Sequence, residues 1–225
     1  MEQTNRLKKV AILIAILLLP SLFYLFLYTG ANNFKKLPYY GPKQVDPQNP
    51  SDTTYHTIPD FSLTNHNGEN ISLKDLEGKI YVADFFFVTC PTICPKMTTH
   101  MLELQKHFYD LEDFHLISFT VNPEHDSVEV LKNYAENVRA MDDVWDFVTG
   151  PKDEIYELGY NGFMVNAMED ESAEGGFLHS QWLVLVDKQG RIRGYFDGTS
   201  TSETNNLMDA IEILFKEEFV PLKEK

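Results

Sequence analysis

Polar and apolar positions change rhythm several times along the chain, and each change predicts an element. Phe61-Ser-Leu63 and Ile71-Ser-Leu73 alternate apolar with polar around Asn67-Gly68, a hairpin signal. Ile80 to Val88 is apolar on both faces except at Asp84, the mark of a central buried strand. From Pro95 to about Tyr109 the period lengthens, with Met97, Met101, Leu104 and Phe108 at helical spacing. Phe114–Val121 predicts a second strand and Ser127–Val138 a helix, with Ser127 as its cap. Val144–Val148 predicts a third strand, and Pro151 to about Leu158 another helix. Gly159–Gly176 is glycine-rich, acidic and unpatterned, and reads as a loop insertion. Gln181–Asp187 and Ile192–Phe196 form strands around Lys188-Gln-Gly190-Arg, and Thr204–Phe219 closes as an amphipathic helix. Strands alternating with helices predict an α/β domain with a mixed sheet flanked by helices, entered through an N-terminal hairpin.

The first 55 residues follow another pattern. Nine residues containing Arg6, Lys8 and Lys9 precede Val10–Tyr28, 19 residues without a charge. At about 1.5 Å per residue this nearly spans a bilayer core of roughly 30 Å, and it exceeds the apolar run of a cleaved signal peptide. It predicts one uncleaved transmembrane helix as anchor. Residues 29–55, with Pro38, Pro42, Pro47 and Pro50, read as an extended linker. The expected organisation is a tail (1–9), anchor (10–28), linker (29–55), folded domain (56–220) and C-terminal tail (221–225). An exported domain behind an anchor, without an Arg-rich transit peptide, points to a bacterial inner membrane with the domain in the periplasm.

A formal net charge of −15 excludes nucleic acid as a partner, since phosphates call for a basic footprint. Two cysteines are too few for a disulfide scaffold or a four-cysteine zinc site. Both stand in Cys90-Pro-Thr-Ile-Cys94-Pro, where a central strand hands over to a helix. Open α/β sheets place their ligands there, and a helix N-terminus favours thiolate.

Two chemistries suit such a pair. One is a dithiol–disulfide couple, with Cys90 attacking and Cys94 resolving. The other is a metal site whose soft thiolates select Cu(I) or zinc. A metal would call for a third ligand among seven histidines. His100 and His107 read as surface residues of the helix after the motif. His56, His66 and His115 read as solvated. His125 occupies a strand-to-helix turn at the cysteine end of the sheet. His179 follows Gly175-Gly176 and immediately precedes an apolar strand. Thioredoxin-type oxidoreductases carry two residues between their cysteines and a cis-proline before the last hairpin. Here the spacer is three residues, and Leu178-His179-Ser180 stands where that proline would be.

The chain resembles the SCO/SenC family of copper-binding cytochrome c oxidase assembly factors over roughly residues 56–220, plus the anchor. The resemblance is carried by Pro59-Asp-Phe-Ser-Leu63, Gly78-Lys79, Phe86-x-x-x-Cys90-Pro-Thr-Ile-Cys94-Pro-x-Met97, Val121-x-Pro-Glu124-x-Asp126, His179-Ser180 and Asp197-Gly198-Thr199. It implies a thioredoxin-like fold that binds one copper, as Cu(I) or Cu(II), through Cys90, Cys94 and His179. It also implies delivery of that copper to subunit II of the oxidase, receipt from a copper donor, or upkeep of the oxidase cysteines in reduced form as a thiol–disulfide oxidoreductase. The chain departs from the family at Asn122, where aspartate is usual, and at His125, which replaces Arg or Lys and could offer an extra ligand. Residues 168–176 are also unusually acidic.

Overall fold

The computed structural model describes residues 14, 16–23, 36–45, 53–165, 167–169 and 177–217. The chain divides into two units, Met1–Lys35 and Lys36–Lys225. In the first, residues 14 and 16–23 are helical, with Ile16, Leu17, Leu19 and Phe23 exposed. The rest of the predicted anchor lies outside the described residues. Among the described residues no helix is long and apolar enough to cross a membrane.

In the second unit the strands are β1 Lys43–Val45, β2 Thr53–Tyr55, β3 Ser62–Asn65, β4 Asn70–Ser72, β5 Ile80–Phe86, β6 Phe114–Thr120, β7 Trp145–Thr149, β8 Ala167–Glu169, β9 Phe177–His179, β10 Trp182–Val186 and β11 Ile192–Asp197. The helices are α1 Leu73–Leu76, α2 Cys94–Phe108, α3 Val128–Val138, α4 Lys152–Glu157 and α5 Thr201–Glu217. A seven-stranded sheet runs in the order β11-β10-β5-β6-β7-β3-β4. Its centre, β5-β6-β7, is parallel, and the remaining pairings are antiparallel. The mixed α/β prediction therefore holds, and so does the N-terminal hairpin, where Gly68 takes φ +79° in the β3–β4 turn.

Every residue of β5, β6 and β7 is buried, which explains the apolar run of β5 and takes polar residues such as His115, Ser118 and Asp146 inside with it. Successive side chains fall on opposite faces of the sheet. Phe86 meets Tyr134 of α3 and Phe147, while Phe85 stacks on Phe119 beside Phe163 and Phe61. Helix α2 is joined to α3 by the hydroxyls of Thr98 and Tyr134, 2.8 Å apart, and packs against α5.

Three local readings change. Leu73 does not extend β4. It opens α1, because the Ser72 N–H donates to the Asp75 carboxylate at 2.8 Å and starts a helical turn. Gly159–Gly176 is not unpatterned throughout: Leu158–Gly162 forms a π-turn, and β8 pairs antiparallel with β9. Strands of three residues are too short to show alternation. The chain before His56 is not a free spacer either, since β1 pairs with β2 and residues 37–40 are tied to β11. Those ties run through main-chain carbonyls, which leave no trace in side-chain pattern.

Candidate metal centre

The centre is built at the exit of β5. After Phe86 the chain turns, with the Cys90 N–H donating to the Phe87 carbonyl at 3.1 Å, and re-enters regular structure at Cys94, the first residue of α2. Pro95 in the first turn suits a position whose N–H would find no helical partner. Both cysteines are buried and are not joined in a disulfide, and their thiols are hydrogen-bonded to each other.

That hydrogen bond and burial push the Cys94 thiol well above its ordinary range, against a backbone hydrogen bond at Phe87 that works the other way. The thiolate expected of a helix N-terminus is thus not what Cys94 presents on its own. Burial and the shared proton outweigh the dipole, which is worth about 0.3–1 kcal/mol at an ordinary terminus. A soft cation would have to displace a proton there, and two adjacent sulfurs match such a cation.

Two buried carboxylates support the cysteine segment, and neither stood out in the sequence as a site residue. Asp126 is fully buried at the β6–α3 turn. Its Oδ2 accepts the Val88 N–H at 3.0 Å and the Thr120 hydroxyl at 2.6 Å, fastening the root of the cysteine loop to β6. Asp84, on β5, accepts from the Ser118 hydroxyl at 2.5 Å, and Ser118 in turn accepts the Trp145 indole N–H at 2.8 Å. Burial pushes the Asp84 carboxyl up to about 7, opposed by the Ser118 hydrogen bond. The lone polar position in an apolar strand was the available signal for Asp84.

The histidines separate cleanly. His179 ends β9, its backbone opposite Ala167, and its side chain lies outside what is described. Its place follows from register: β10 runs antiparallel to β5 with Val184 opposite Ala83, so the start of β10 lies beside the end of β5. His100 is not a surface residue. It is buried on α2, where Nδ1–H donates to the Gly198 carbonyl at 2.7 Å. His66 and His115 are buried as well, at Asp142 and Asp146 respectively. His56 donates to the Gly162 carbonyl at 2.7 Å, and His107 is half exposed, 3.9 Å from Glu212. His125 is exposed and its Nδ1 lies 2.7 Å from Asp126 Oδ1. Among the described residues, no three His, Cys, Asp or Glu side chains gather as a metal site, and His125 is engaged with Asp126.

A family model described as SCO1/SenC matches residues 49–215. The chain belongs to the SCO1/SenC family. The SCO1 protein homolog of Bacillus subtilis (strain 168) is 33% identical over 163 residues, 72% of this chain and 84% of the relative. The solved structure of BsSco is 34% identical, with a TM-score of 0.61 over 70% of this chain and 93% of that one. BsSco is described there as a member of the Sco family of cytochrome c oxidase assembly proteins, in which a disulfide switch was identified. Bradyrhizobium japonicum ScoI with copper bound aligns at a TM-score of 0.57 and 25% identity, covering 70% of this chain and 97% of that one. The thioredoxin-like fold expected of the family is the fold found.

Proposed function

We propose that this protein is a membrane-anchored copper chaperone that binds one copper ion and passes it to the copper centre of cytochrome c oxidase, on subunit II, during assembly. The observation that carries the reading is the pair of reduced, mutually hydrogen-bonded thiols at the β5–α2 junction. Copper bound in a relative and oxidase assembly in another relative's description support it. Cys90 and Cys94 supply two soft donors, which suit Cu(I) directly, and His179 supplies a nitrogen that would extend the site to Cu(II). A site beside a loop can exchange ligands with a partner, so the ion is cargo rather than a structural fixture. Val10–Tyr28 holds the folded unit to the bacterial inner membrane, on its periplasmic side.

The test is copper content of the purified full chain after loading and desalting. One copper per chain is expected for the wild type, and essentially none for Cys90→Ala or Cys94→Ala. His179→Ala should keep Cu(I) more weakly and lose Cu(II). Full binding of both oxidation states by His179→Ala would overturn the three-ligand set.

A second reading has its own observation, since the thiols are already in contact and a relative carries a disulfide switch. As a thiol–disulfide oxidoreductase, Cys90 thiolate would attack a partner disulfide and release one partner thiol. Cys94 would then attack the mixed disulfide, leaving the partner with two thiols and this chain with the Cys90–Cys94 disulfide. Reduction of a protein disulfide by the copper-free chain, lost in Cys90→Ser but kept in His179→Ala, would select this reading.

A further inference from the structure

Beside the cysteine pair a groove of about 640 Å³ runs between α2 and α3. Cys90 and Cys94 line one end, and Lys106 and Arg139 line the other. Thr98 and Tyr134, joined across it by their hydroxyls, and the apolar Leu102 and Val138 line the length between. Among the described residues its only charged lining residues are cations, in a chain of net charge −15. Neither cation is ion-paired among the described residues, so no carboxylate among them neutralises that end of the groove.

Arg139 carries a second signal. It caps α3 in the left-handed region, at φ +61° and ψ +41°, where glycine or asparagine is the usual occupant. Gln105, itself in the groove wall, holds it there: its amide donates to the Arg139 carbonyl at 3.2 Å, and its oxygen accepts the Met141 N–H at 2.8 Å. A long cation kept in a conformation that disfavours it is the kind of outlier that accompanies a binding role.

We propose that this groove docks an extended acidic segment of the protein that exchanges copper with Cys90 and Cys94. The inference rests on the copper-chaperone reading and adds the chemistry of the partner to it. The distance sets the register. Twelve residues of α2 separate Cys94 from Lys106, about 18 Å at 1.5 Å per residue, which an extended strand crosses in five or six residues. The partner segment therefore carries its soft metal ligand at one end and its carboxylates five or six residues away, on Lys106 and Arg139.

The probe is a fluorescein-labelled peptide, acetyl-Met-Ser-Ser-Ser-Ser-Glu-Glu-amide, titrated into the full-length, reduced, copper-free protein and read by anisotropy. Binding is expected to weaken as salt rises from about 50 to 200 mM. It should weaken about tenfold when both glutamates become lysine or in the Lys106→Ala/Arg139→Gly double variant and, once the protein is loaded with Cu(I) that holds the methionine at the cysteines, when the glutamates are moved beside the methionine. Arg139→Gly alone relieves the left-handed arginine, so its melting temperature should equal or exceed that of the wild type, which separates lost binding from lost fold. Undiminished binding by the double variant, or equal binding of the lysine peptide, would overturn the docking site. Equal binding of the shifted peptide would overturn its register. Copper affinity, measured on the same samples by competition with a chromogenic Cu(I) chelator, should be unchanged in the double variant and reports on the thiol site alone. The two readings therefore fail separately.

Discussion

At the residue scale, the candidate site depends on groups that never touch a metal. Asp126 anchors the start of the cysteine loop, and its removal would orphan the Val88 N–H and leave Thr120 without its acceptor. Each lost hydrogen bond to a buried charged group is worth about 1.5–3 kcal/mol. Asp126→Ala should lower stability to chemical denaturation by roughly 3 kcal/mol and weaken copper binding, the second effect because Val88 is two residues from Cys90. Asp84 acts in the opposite sense. Its folded-state carboxyl, raised to about 7, holds a proton that the unfolded chain releases near 3.8. Stability from this group is therefore greatest below about pH 4 and is lost as pH rises towards 7, a difference on the order of 4 kcal/mol. Asp84→Asn keeps the acceptor for Ser118 and cannot ionise. Urea unfolding should show its stability relative to the wild type increasing between pH 5 and pH 8. A pH-independent difference between the two proteins would refute the assignment.

At the element scale, α2 has to be held in place because its first residue is a proposed ligand. His100, one turn and a half into the helix, donates to the Gly198 carbonyl, and the Gly198 N–H donates to the Gln181 carbonyl at 2.7 Å. Gly198 thus couples α2 to the entrance of β10, two residues beyond His179. A Cβ at Gly198 would meet Leu183 at 3.0 Å, and the Gln181 carbonyl and Met97 at 3.1 Å each. Gly198→Ala should cost about 1–3 kcal/mol by overpacking and should weaken copper binding more than an equally destabilising change far from the site. Thermal unfolding paired with chelator competition would check both. Equal copper affinity would mean that the loop does not position the cysteine and histidine elements relative to one another.

At the scale of the whole folded unit, its N-terminal approach is clamped. Arg193 is buried on β11 and pairs with Asp187 at 3.1 Å and Glu217 at 3.0 Å, while donating to the carbonyls of Leu37 and Pro38. The Tyr39 ring lies over Arg193 at 4.3 Å and over Arg191 at 4.7 Å. Removing one partner of a buried pair typically costs about 3–5 kcal/mol. Arg193→Ala should therefore destabilise the unit by a few kcal/mol and expose residues 36–45 to limited proteolysis, with the first cuts moving there from elsewhere. The clamp sits at the end of the sheet where β10 turns into β11, away from the cysteines.

The sequence by itself determined the alternation of elements and the junction where the chemistry lies. The almost wholly apolar run of β5 and helical spacing in α2 are local properties, set by which faces of an element must be buried. The lone cysteine pair needed no tertiary information either, because its place at a strand-to-helix handover follows from those patterns. Only the tertiary structure decided which polar residues go inside. His66, His100 and His115 look like any solvated histidine in sequence, yet each is buried against a hydrogen-bond partner 76, 98 or 31 positions away in the chain. The Cys94 thiol was misjudged for the same reason. Its dipole is local and readable, whereas its burial and its hydrogen bond with Cys90 arise only when the loop closes. The clamp at Arg193 and the groove ending at Lys106 and Arg139 likewise join segments that no spacing connects. Long-range partners decide the protonation and placement of buried charge, and they exist only once the sheet has assembled.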